Sequence, residues 1–362
     1  MFAYPTPANR NYPFAHTKQT VSPIQLTSSS VNDDGTFVFT QYKTHKEVTT
    51  PIQHWQLRNL IRCSNGRTVI HPSDEALYMF NAKTNEDIPI LTDLPFTPTT
   101  IDAGYGYVAM AGQRGMAMVK DTKSDWSARF SAGPGMNNSI CLSKTINNEI
   151  RVVVCNNDQT VCILSVPQME KKATLKMPAA INHTSVSPNG RMMLMVGDNG
   201  IVYLYKITES DDYQQIASYK ASEEPALSCA WNPSSEKYAV TSQDGNVSVW
   251  DITQNARTEP ICRIASTETR KTRKAPRCIQ FSKGPLDLLA YSEHVSTVNI
   301  IDTRTFETRQ VIRLAPNDMD YHITGLSFSS DNRSLFVGME DSIVELNVDI
   351  CSRRRFATGC IV

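Results

Sequence analysis

The feature that most restricts the fold of this chain is a unit of 45 to 50 residues that recurs along its second half. Each copy holds an alternating strand, a polar turn, a second apolar strand, a tight acidic turn and a third alternating strand. The clearest copies are INHTSVSPNGRMMLMVGDNGIVYLYKI, ALSCAWNPSSEKYAVTSQDGNVSVWDI, PRCIQFSKGPLDLLAYSEHVSTVNIIDT and ITGLSFSSDNRSLFVGMEDSIVELNVD. Equivalent inward positions, 45, 50 and 47 residues apart, are occupied by Val186, Trp231, Phe281 and Phe328.

This period is typical of a four-stranded propeller blade. Short, half-polar fourth strands follow in YQQIASYKA, PICRIAS and RQVIRLAP, and weaker copies of the unit precede the clear ones from about residue 55. Alternation at period 2 dominates, and helical periodicity is nearly absent. A lone blade cannot bury its faces, so blades must stack into a closed ring. We predict an all-β fold in which residues 51–362 form one seven-bladed β-propeller of four-stranded antiparallel blades.

One blade resembles the WD40 repeat. In SQDGNVSVWDI the residues that match the family signature are Ser242, Asp244, Trp250 and Asp251. In that family the turn Asp and the strand Trp belong to a structural tetrad with a Ser or Thr and a His. The Gly-His dipeptide of the family is missing here, and one blade of the seven keeps a literal Trp-Asp. The resemblance implies a WD40-like propeller in which Asp244, Trp250 and Asp251 are structural.

Composition argues against several classes of partner. The chain has 36 basic and 36 acidic residues, so no global field attracts nucleic acid or an anionic membrane. Its apolar runs are shorter than the roughly 20 residues of a membrane helix. The N-terminus lacks the basic and apolar regions of a secretory signal. We therefore predict no membrane partner and a cytoplasmic or nuclear location; overall charge does not favour nucleic acid as a partner, so such a partner must be sought in a local patch.

Enzyme signatures are few. The nine cysteines include no C-x-x-C pair, and several lie in apolar strands where they fit a core role. Phosphate-binding loops, metal-binding helices and nucleophile elbows are missing as well. We predict no cofactor, no metal and no catalytic activity. The alternative is an enzyme with a channel-centred site, because a propeller can gather distant residues at its channel.

Acidic residues recur in the turns between second and third strands. Six of the seven predicted blades place an acid there: Asp74, Asp158, Asp198, Asp244, Glu293, and Glu340 with Asp341. A negative rim could hold the ammonium of a peptide N-terminus or a basic side chain. The competing interpretation is that each Asp caps its own turn. The candidate partner-binding residues are Asp198, Asp244, Glu293, His294, Glu340, Asp341 and, in the remaining blade, Arg114.

A basic run lies between the predicted blades 5 and 6. Its charged residues are Arg270, Lys271, Arg273, Lys274 and Arg277. Such a run is compatible with a nuclear or nucleic-acid-associated scaffold. No aromatic residues interleave with it, although single-strand binding needs stacking platforms, so a solvated loop is the competing interpretation.

The stretch GPLDLLAYSEH begins the second strand of blade 6. We predict that Asp287 starts this strand through its turn and that Leu288 and Leu289 point to opposite faces. The same three residues resemble the Asp-Leu-Leu motif of a fungal family of WD-repeat-like proteins that carry a short segment of unknown function. One member of that family is a substrate receptor of a GID-type ubiquitin ligase and recognises protein N-termini. The resemblance implies a propeller that holds substrate N-terminal peptides and docks on ligase subunits by another surface.

A second ligase resemblance is weaker. Asp302, Thr303 and Arg304 are similar to the Asp-x-Arg box by which some WD proteins dock to a cullin-4 adaptor, but Ile301 replaces the usual Trp. The competing interpretation is a local ion pair.

Residues 1–50 differ from the rest in their prolines and their TSSSVNDDG stretch. We predict an N-terminal segment that is partly mobile, with TFVFTQY able to form a strand. It either completes the last blade or covers a channel mouth. For the whole chain we expect a non-catalytic platform that binds other proteins.

Overall fold

In the computed structural model, residues 31–46, 48–253, 258–267, 274–316 and 318–353 are described. They form seven four-stranded antiparallel sheets. First strands of neighbouring sheets contact one another all round the ring and line its central channel. The predicted all-β, seven-bladed propeller is confirmed.

In blades 1 to 6 the strands run outward from the channel in chain order, and in blade 7 the outer strand comes from the N-terminal segment. Blades 1 to 4 comprise Arg62–Asn65, Thr68–Ser73, Ala76–Asn81 and Glu86–Leu91; Pro98–Gly104, Tyr107–Gly112, Met116–Asp121 and Ser127–Ser131; Asn137–Lys144, Ile150–Asn156, Thr160–Val166 and Lys171–Lys176; Ile181–Val186, Met192–Gly197, Ile201–Ile207 and Tyr213–Lys220. Blades 5 to 7 comprise Ala226–Trp231, Lys237–Ser242, Asn246–Asp251 and Cys262–Ala265; Pro276–Phe281, Leu288–Glu293, Thr297–Asp302 and Arg309–Arg313; Ile323–Phe328, Ser334–Met339, Ser342–Asn347 and Lys43–Lys46. The helical turns are Gln113–Gly115, Gly284–Leu286 and Ile350–Arg353. No helix in these described ranges is long and apolar enough to cross a membrane.

The ring is closed by the N-terminal segment. Lys43–Lys46 pairs antiparallel with the third strand of blade 7 and so becomes its outer strand. The prediction of a strand in TFVFTQY is wrong in position, since only Val38 makes an isolated bridge, to Val348. The reason is that the side-chain oxygen of Gln310 accepts the backbone N–H groups of Phe37 and Val38, which a strand ladder would otherwise use. Residues 1–30 lie outside the described residues.

Apolar side chains from both faces of each blade fill the spaces between blades. Leu288 and Leu289 are fully buried. Leu288 packs with Leu326 of blade 7, and Leu289 packs with Val249 of blade 5. The predicted division of the two leucines between opposite faces is confirmed. Each of these side chains buries apolar surface between two neighbouring blades. The stability of each blade therefore depends on its neighbours in the ring.

Side-chain hydrogen bonds also join neighbouring inner strands. Asn138 donates from Nδ2 to the carbonyl of Ile181 at 3.1 Å, and Asn182 donates to the carbonyl of Ala226 at 3.0 Å. Both asparagines are buried. Since a buried amide costs free energy unless it is paired, these bonds fix the blade-to-blade register.

The blade that carries the Trp-Asp pair does not build the family tetrad. Trp250 stacks on Tyr238 with ring centroids 5.4 Å apart, and its Nε1 donates to the carbonyl of Thr258 at 3.2 Å. Asp251 forms an ion pair with Lys237 at 3.3 Å. Trp250 and Asp251 thus have structural contacts. The acceptor of the Trp250 indole N–H is a backbone carbonyl, whereas in the WD40 tetrad it is a serine or threonine side chain.

Candidate functional site

The turns between second and third strands share one face of the ring with the connections between blades. Backbone N–H groups of Asn157, Asp198 and Gln243 donate to carbonyls just before the first strands of their own blades, at 2.8 to 3.0 Å. We call this face the rim face. It contains the predicted acidic rim positions, and it surrounds one mouth of the channel.

An irregular segment, residues 53–58, crosses this mouth, and we call it the mouth segment. His54 Nδ1 accepts the backbone N–H groups of Gln56 and Leu57 at 3.1 and 3.0 Å, which folds the segment into a tight turn. Arg58 donates back to the carbonyl of Leu57 at 2.9 Å. The turn leaves Trp55 outside, with 74% of its surface exposed, while Gln56, Leu57 and Arg58 are buried. A large exposed indole beside a channel is typical of a binding surface.

A cavity of about 560 Å³, the mouth pocket, opens beside this segment. Its lining is polar amides, apolar side chains, one imidazole and one carboxylate: Gln53, His54, Trp55, Gln56, Met136, Asn157, Asn182, Asp198 and Pro225. The carboxylate of Asp198 is exposed and accepts a 2.9 Å hydrogen bond at Oδ1 from Asn182. Within the described residues its Oδ2 has no hydrogen-bond donor, so it is available to a ligand. Burial, helped by Arg58, lowers the pKa of His54 to about 4, so the imidazole is neutral at pH 7.

Two other predicted rim acids are occupied by hydrogen bonds within the fold. Asp244 accepts hydrogen bonds from the Ser222 hydroxyl and the Asn246 backbone N–H, as the capping interpretation expected. Glu293 ends a strand rather than lying in the turn, and it is fully buried. Its carboxylate accepts from Asn299 and from the backbone and hydroxyl of Thr267. Asp244 is half-buried and Glu293 is fully buried, and both carboxylates already accept hydrogen bonds from this chain.

The remaining candidates of the rim lie on the side of blades 6, 7 and 2. Glu340 and Asp341 are exposed at the turn of blade 7, and Arg114 is exposed in a left-handed backbone conformation in blade 2. His294 stands edge-on to His322 with centroids 5.5 Å apart. Burial, aided by Arg277, lowers the pKa of His294 to about 4. None of these side chains lines the mouth pocket.

The residues of the predicted basic run do not form one loop in the described part of the chain. Arg270, Lys271 and Arg273 lie outside the described residues, and Lys274 precedes the strand that begins at Pro276. Arg277 does not belong to the loop: it is the second residue of that strand and 5% exposed, which corrects its assignment to a solvated basic patch. The sequence misplaces it because it follows a run of charged residues, whereas the first strand of blade 6 is buried along most of its length inside the ring.

Asp287, Asp302 and Arg304 take part in one intramolecular network. Asp302 binds Arg353 through two short contacts, 2.6 and 2.8 Å, and Arg304 pairs with Asp287 at 3.1 Å. Asp287 is left-handed at φ 53°, and its carbonyl accepts from Arg353. Asp302 and Arg304 therefore form ion pairs with other residues, while the backbone N–H of Arg304 donates to Oδ1 of Asp302 at 3.0 Å.

One histidine and one cysteine that line the channel have pKa values that keep both side chains neutral at pH 7. A cavity of about 220 Å³ is lined by Cys141, His183 and Cys229, among others. Burial lowers the pKa of His183 to about 3 and raises the pKa of Cys141 to about 12, so both are neutral at pH 7. No cluster of three or more metal-ligating side chains occurs in the described ranges.

Sequence reasoning missed the mouth segment and the interblade asparagines. The segment QHWQLR has no periodicity, so only its lone Trp marks it. Asn138 and Asn182 occupy the second position of successive first strands, 44 residues apart, so aligning the units at that column would have found them.

Two family models match parts of the chain. Residues 101–257 match the C-terminal region described as lethal giant larvae (Lgl) like. Residues 274–313 match the uncharacterised protein domain DUF2415. The second range includes Asp287, Leu288 and Leu289, whose assignment to an Asp-Leu-Leu motif stays a prediction.

Relatives occur in two fungi. An uncharacterised protein of Schizosaccharomyces pombe is 26% identical over 317 residues, which cover 83% of this chain and 89% of that protein. An uncharacterised protein of Saccharomyces cerevisiae is 27% identical over 290 residues, 67% of this chain, and the match spans about two fifths (39%) of that longer protein. The solved structure of U3-55K superposes with a TM-score of 0.67 over 86% of this chain and all of that one, at 12% identity, which shows a common fold. The chain thus has a seven-bladed propeller fold, which U3-55K shares, and it is similar in sequence to these two fungal proteins.

Proposed function

We propose that this chain is a non-catalytic interaction platform that captures the N-terminus of another protein in the mouth pocket, as a substrate receptor of a ubiquitin ligase. The observation that carries the proposal is the pocket itself, where the free Oδ2 of Asp198 stands among amides beside exposed Trp55. WD40-like propellers generally bind other proteins, which supports the coarser part of the proposal.

The lining matches the groups of a peptide end. An ammonium needs a carboxylate acceptor, which Asp198 supplies. The amides of Asn157 and Gln53 can bond the first peptide groups, and Trp55 with Met136 offers apolar surface to the first side chains. Acetylation of the peptide would remove the charge that Asp198 recognises.

The ligase part rests on the resemblance of blade 6 to the fungal WD-repeat-like family and on the fungal relatives. A receptor must dock on ligase subunits through a surface away from the rim face, so that the pocket stays open to substrate. The cytoplasm and nucleus, where ubiquitin ligases act, are the proposed locations.

The proposal is tested by affinity purification from the native host followed by mass spectrometry. Wild type, Asp198→Asn and the control Asp125→Asn are compared; Asp125 is exposed between the third and fourth strands of blade 2, away from the rim face. All three should recover ligase subunits, and only Asp198→Asn should lose substrates. Recovery of no ligase subunit by wild type would reject the receptor role, and equal substrates in all three would reject the pocket.

A further inference from the structure

Two arginines lie buried at the channel mouth: Arg58 is the last residue of the mouth segment, and Arg277 of blade 6 lies beneath that segment. Arg58 and Arg277 are 4% and 5% exposed. Arg58 donates from Nη1 to the carbonyls of His54 and Leu57, and Arg277 donates from Nη1 to the carbonyl of Gln56 at 3.3 Å. The Nε of each has no hydrogen-bond partner in the described residues. In that same part of the chain, no carboxylate oxygen lies within 4.0 Å of either guanidinium.

This arrangement is unfavourable as it stands. Burying a cation without a counter-ion costs far more than burying a paired one. Burial and the neighbouring charge of Arg58 lower the pKa of Arg277 to about 10, and burial also lowers the pKa of Arg58 to about 10. Both guanidiniums are still charged at pH 7. A buried polar group without a protein partner often indicates a binding position for an ion.

Two histidines complete the cluster. His294 feels the charge of both arginines and lies beside His322, whose buried Nδ1 has no hydrogen-bond partner in the described residues. Two acidic residues also face the cluster, but neither neutralises it. Glu340 interacts with Arg58 only through a longer-range Coulomb attraction. Asp320 already forms an ion pair with Arg313 at 3.1 Å.

We propose that Arg58, Arg277, His294 and His322 form a binding site for a doubly charged oxyanion, namely a phosphate group. Two guanidiniums supply two positive charges, and although Arg58 also donates from Nη2 to the carbonyl of Trp55 at 3.4 Å, the Nε–H groups without protein partners remain as donors for phosphate oxygens. A single carboxylate would leave one cation unpaired. The site differs from the ammonium pocket in charge and in residues, so it does not depend on the proposed function. A bound phosphate would also stabilise the mouth segment, because both arginines hold its carbonyls.

Equilibrium dialysis of the full chain with radiolabelled inorganic phosphate tests this site. Wild type should bind one phosphate per chain, and Arg277→Gln should bind at least tenfold more weakly. The control is Arg333→Gln, whose side chain is 76% exposed between the first two strands of blade 7. If Arg277→Gln fails to fold, Arg277→Lys replaces it, and loss of the planar donor set should weaken binding several-fold. No binding by wild type, or equal binding by the folded Arg277 variant, would overturn the proposal.

Competition then identifies the chemistry of the ligand. Displacement of the label by glycerol 3-phosphate would assign the site to phosphate esters, and its retention would assign the site to free phosphate. Equal displacement by acetate, at matched ionic strength, would overturn the assignment to a doubly charged anion.

Discussion

Arg353 shows how single charged residues hold the end of the described chain in place. Its guanidinium is buried, binds both oxygens of Asp302, donates to the carbonyls of Leu286 and Asp287, and lies 5.3 Å from the ring centroid of Phe37. One side chain thus joins blade 6, the last helical turn and the N-terminal segment. A buried ion pair is favourable when its distances are short and its remaining N–H groups have acceptors, as is the case for Arg353 and Asp302.

We expect Asp302→Asn to lower the free energy of unfolding by about 3 kcal/mol, because it leaves the buried Arg353 charge without its counter-ion. Urea denaturation measures this change. Arg304→Ala is the control: its pair with Asp287 is between partly exposed side chains, so the loss should stay below about 1 kcal/mol. Equal losses in the two variants would contradict the assigned roles.

His183 should make stability depend on pH. Burial lowers its pKa from 6.5 in the unfolded chain to about 3, and its Nδ1 accepts the backbone N–H of Cys229. Between these two values the unfolded state binds a proton that the folded state does not, so stability falls as pH falls from about 6.5. His54 and His294, with pKa values of about 4, act in the same direction.

His183→Gln should therefore reduce the slope of unfolding free energy against pH by up to about 1.4 kcal/mol per pH unit between pH 4 and 6. Denaturation at several pH values measures the slope. An unchanged slope would show that His183 takes up its proton in the folded state as easily as in the unfolded one.

At the scale of elements, the N-terminal segment depends on blade 6 before it reaches blade 7. Gln310 accepts the backbone N–H groups of Phe37 and Val38 at 2.6 and 2.9 Å and donates to the carbonyl of Val38 at 2.9 Å. Arg309 adds a two-point ion pair with Asp33. The side chain of Gln310 thus makes the hydrogen bonds to this segment that the backbone of a neighbouring strand would otherwise make.

Gln310→Leu should release this segment, because it leaves two donors and one acceptor buried without partners, each costing about 1 to 3 kcal/mol. Hydrogen exchange of the amides of residues 37–46 should become much faster. The control is Gln214→Leu, at an exposed site in the outer strand of blade 4. Unchanged exchange in Gln310→Leu would mean that the Lys43–Lys46 strand alone closes the ring.

The repeated elements were predictable because their signal is local. Val186, Trp231, Phe281 and Phe328 each end a first strand, so the 45 to 50 residue spacing gave the blades directly. The outer strand of blade 7 was not located, because KTHK is polar and its partner lies some 300 residues away. The mouth pocket could not be predicted either, since it needs an aperiodic segment to meet turns from other blades.

At the scale of the whole molecule, the mouth carries opposite charges in different places. Asp198 lies exposed in a pocket beside Trp55, whereas Arg58, at the end of the mouth segment, and Arg277, beneath it, are buried. Only the folded ring brings these residues together, since they come from blades 4 and 6 and from the segment before blade 1. The formal net charge of zero conceals this division.

The most direct measurement of the central claim is fluorescence anisotropy with one C-terminally labelled peptide, taken from the N-terminus of a copurified substrate. Wild type should bind the peptide with a free amino terminus about 10- to 100-fold more tightly than its acetylated form, the worth of one charge-assisted hydrogen bond. Asp198→Asn should abolish this preference, and Asp125→Asn should retain it. Equal affinity of wild type for the free and acetylated peptides would contradict capture of an N-terminus at this pocket.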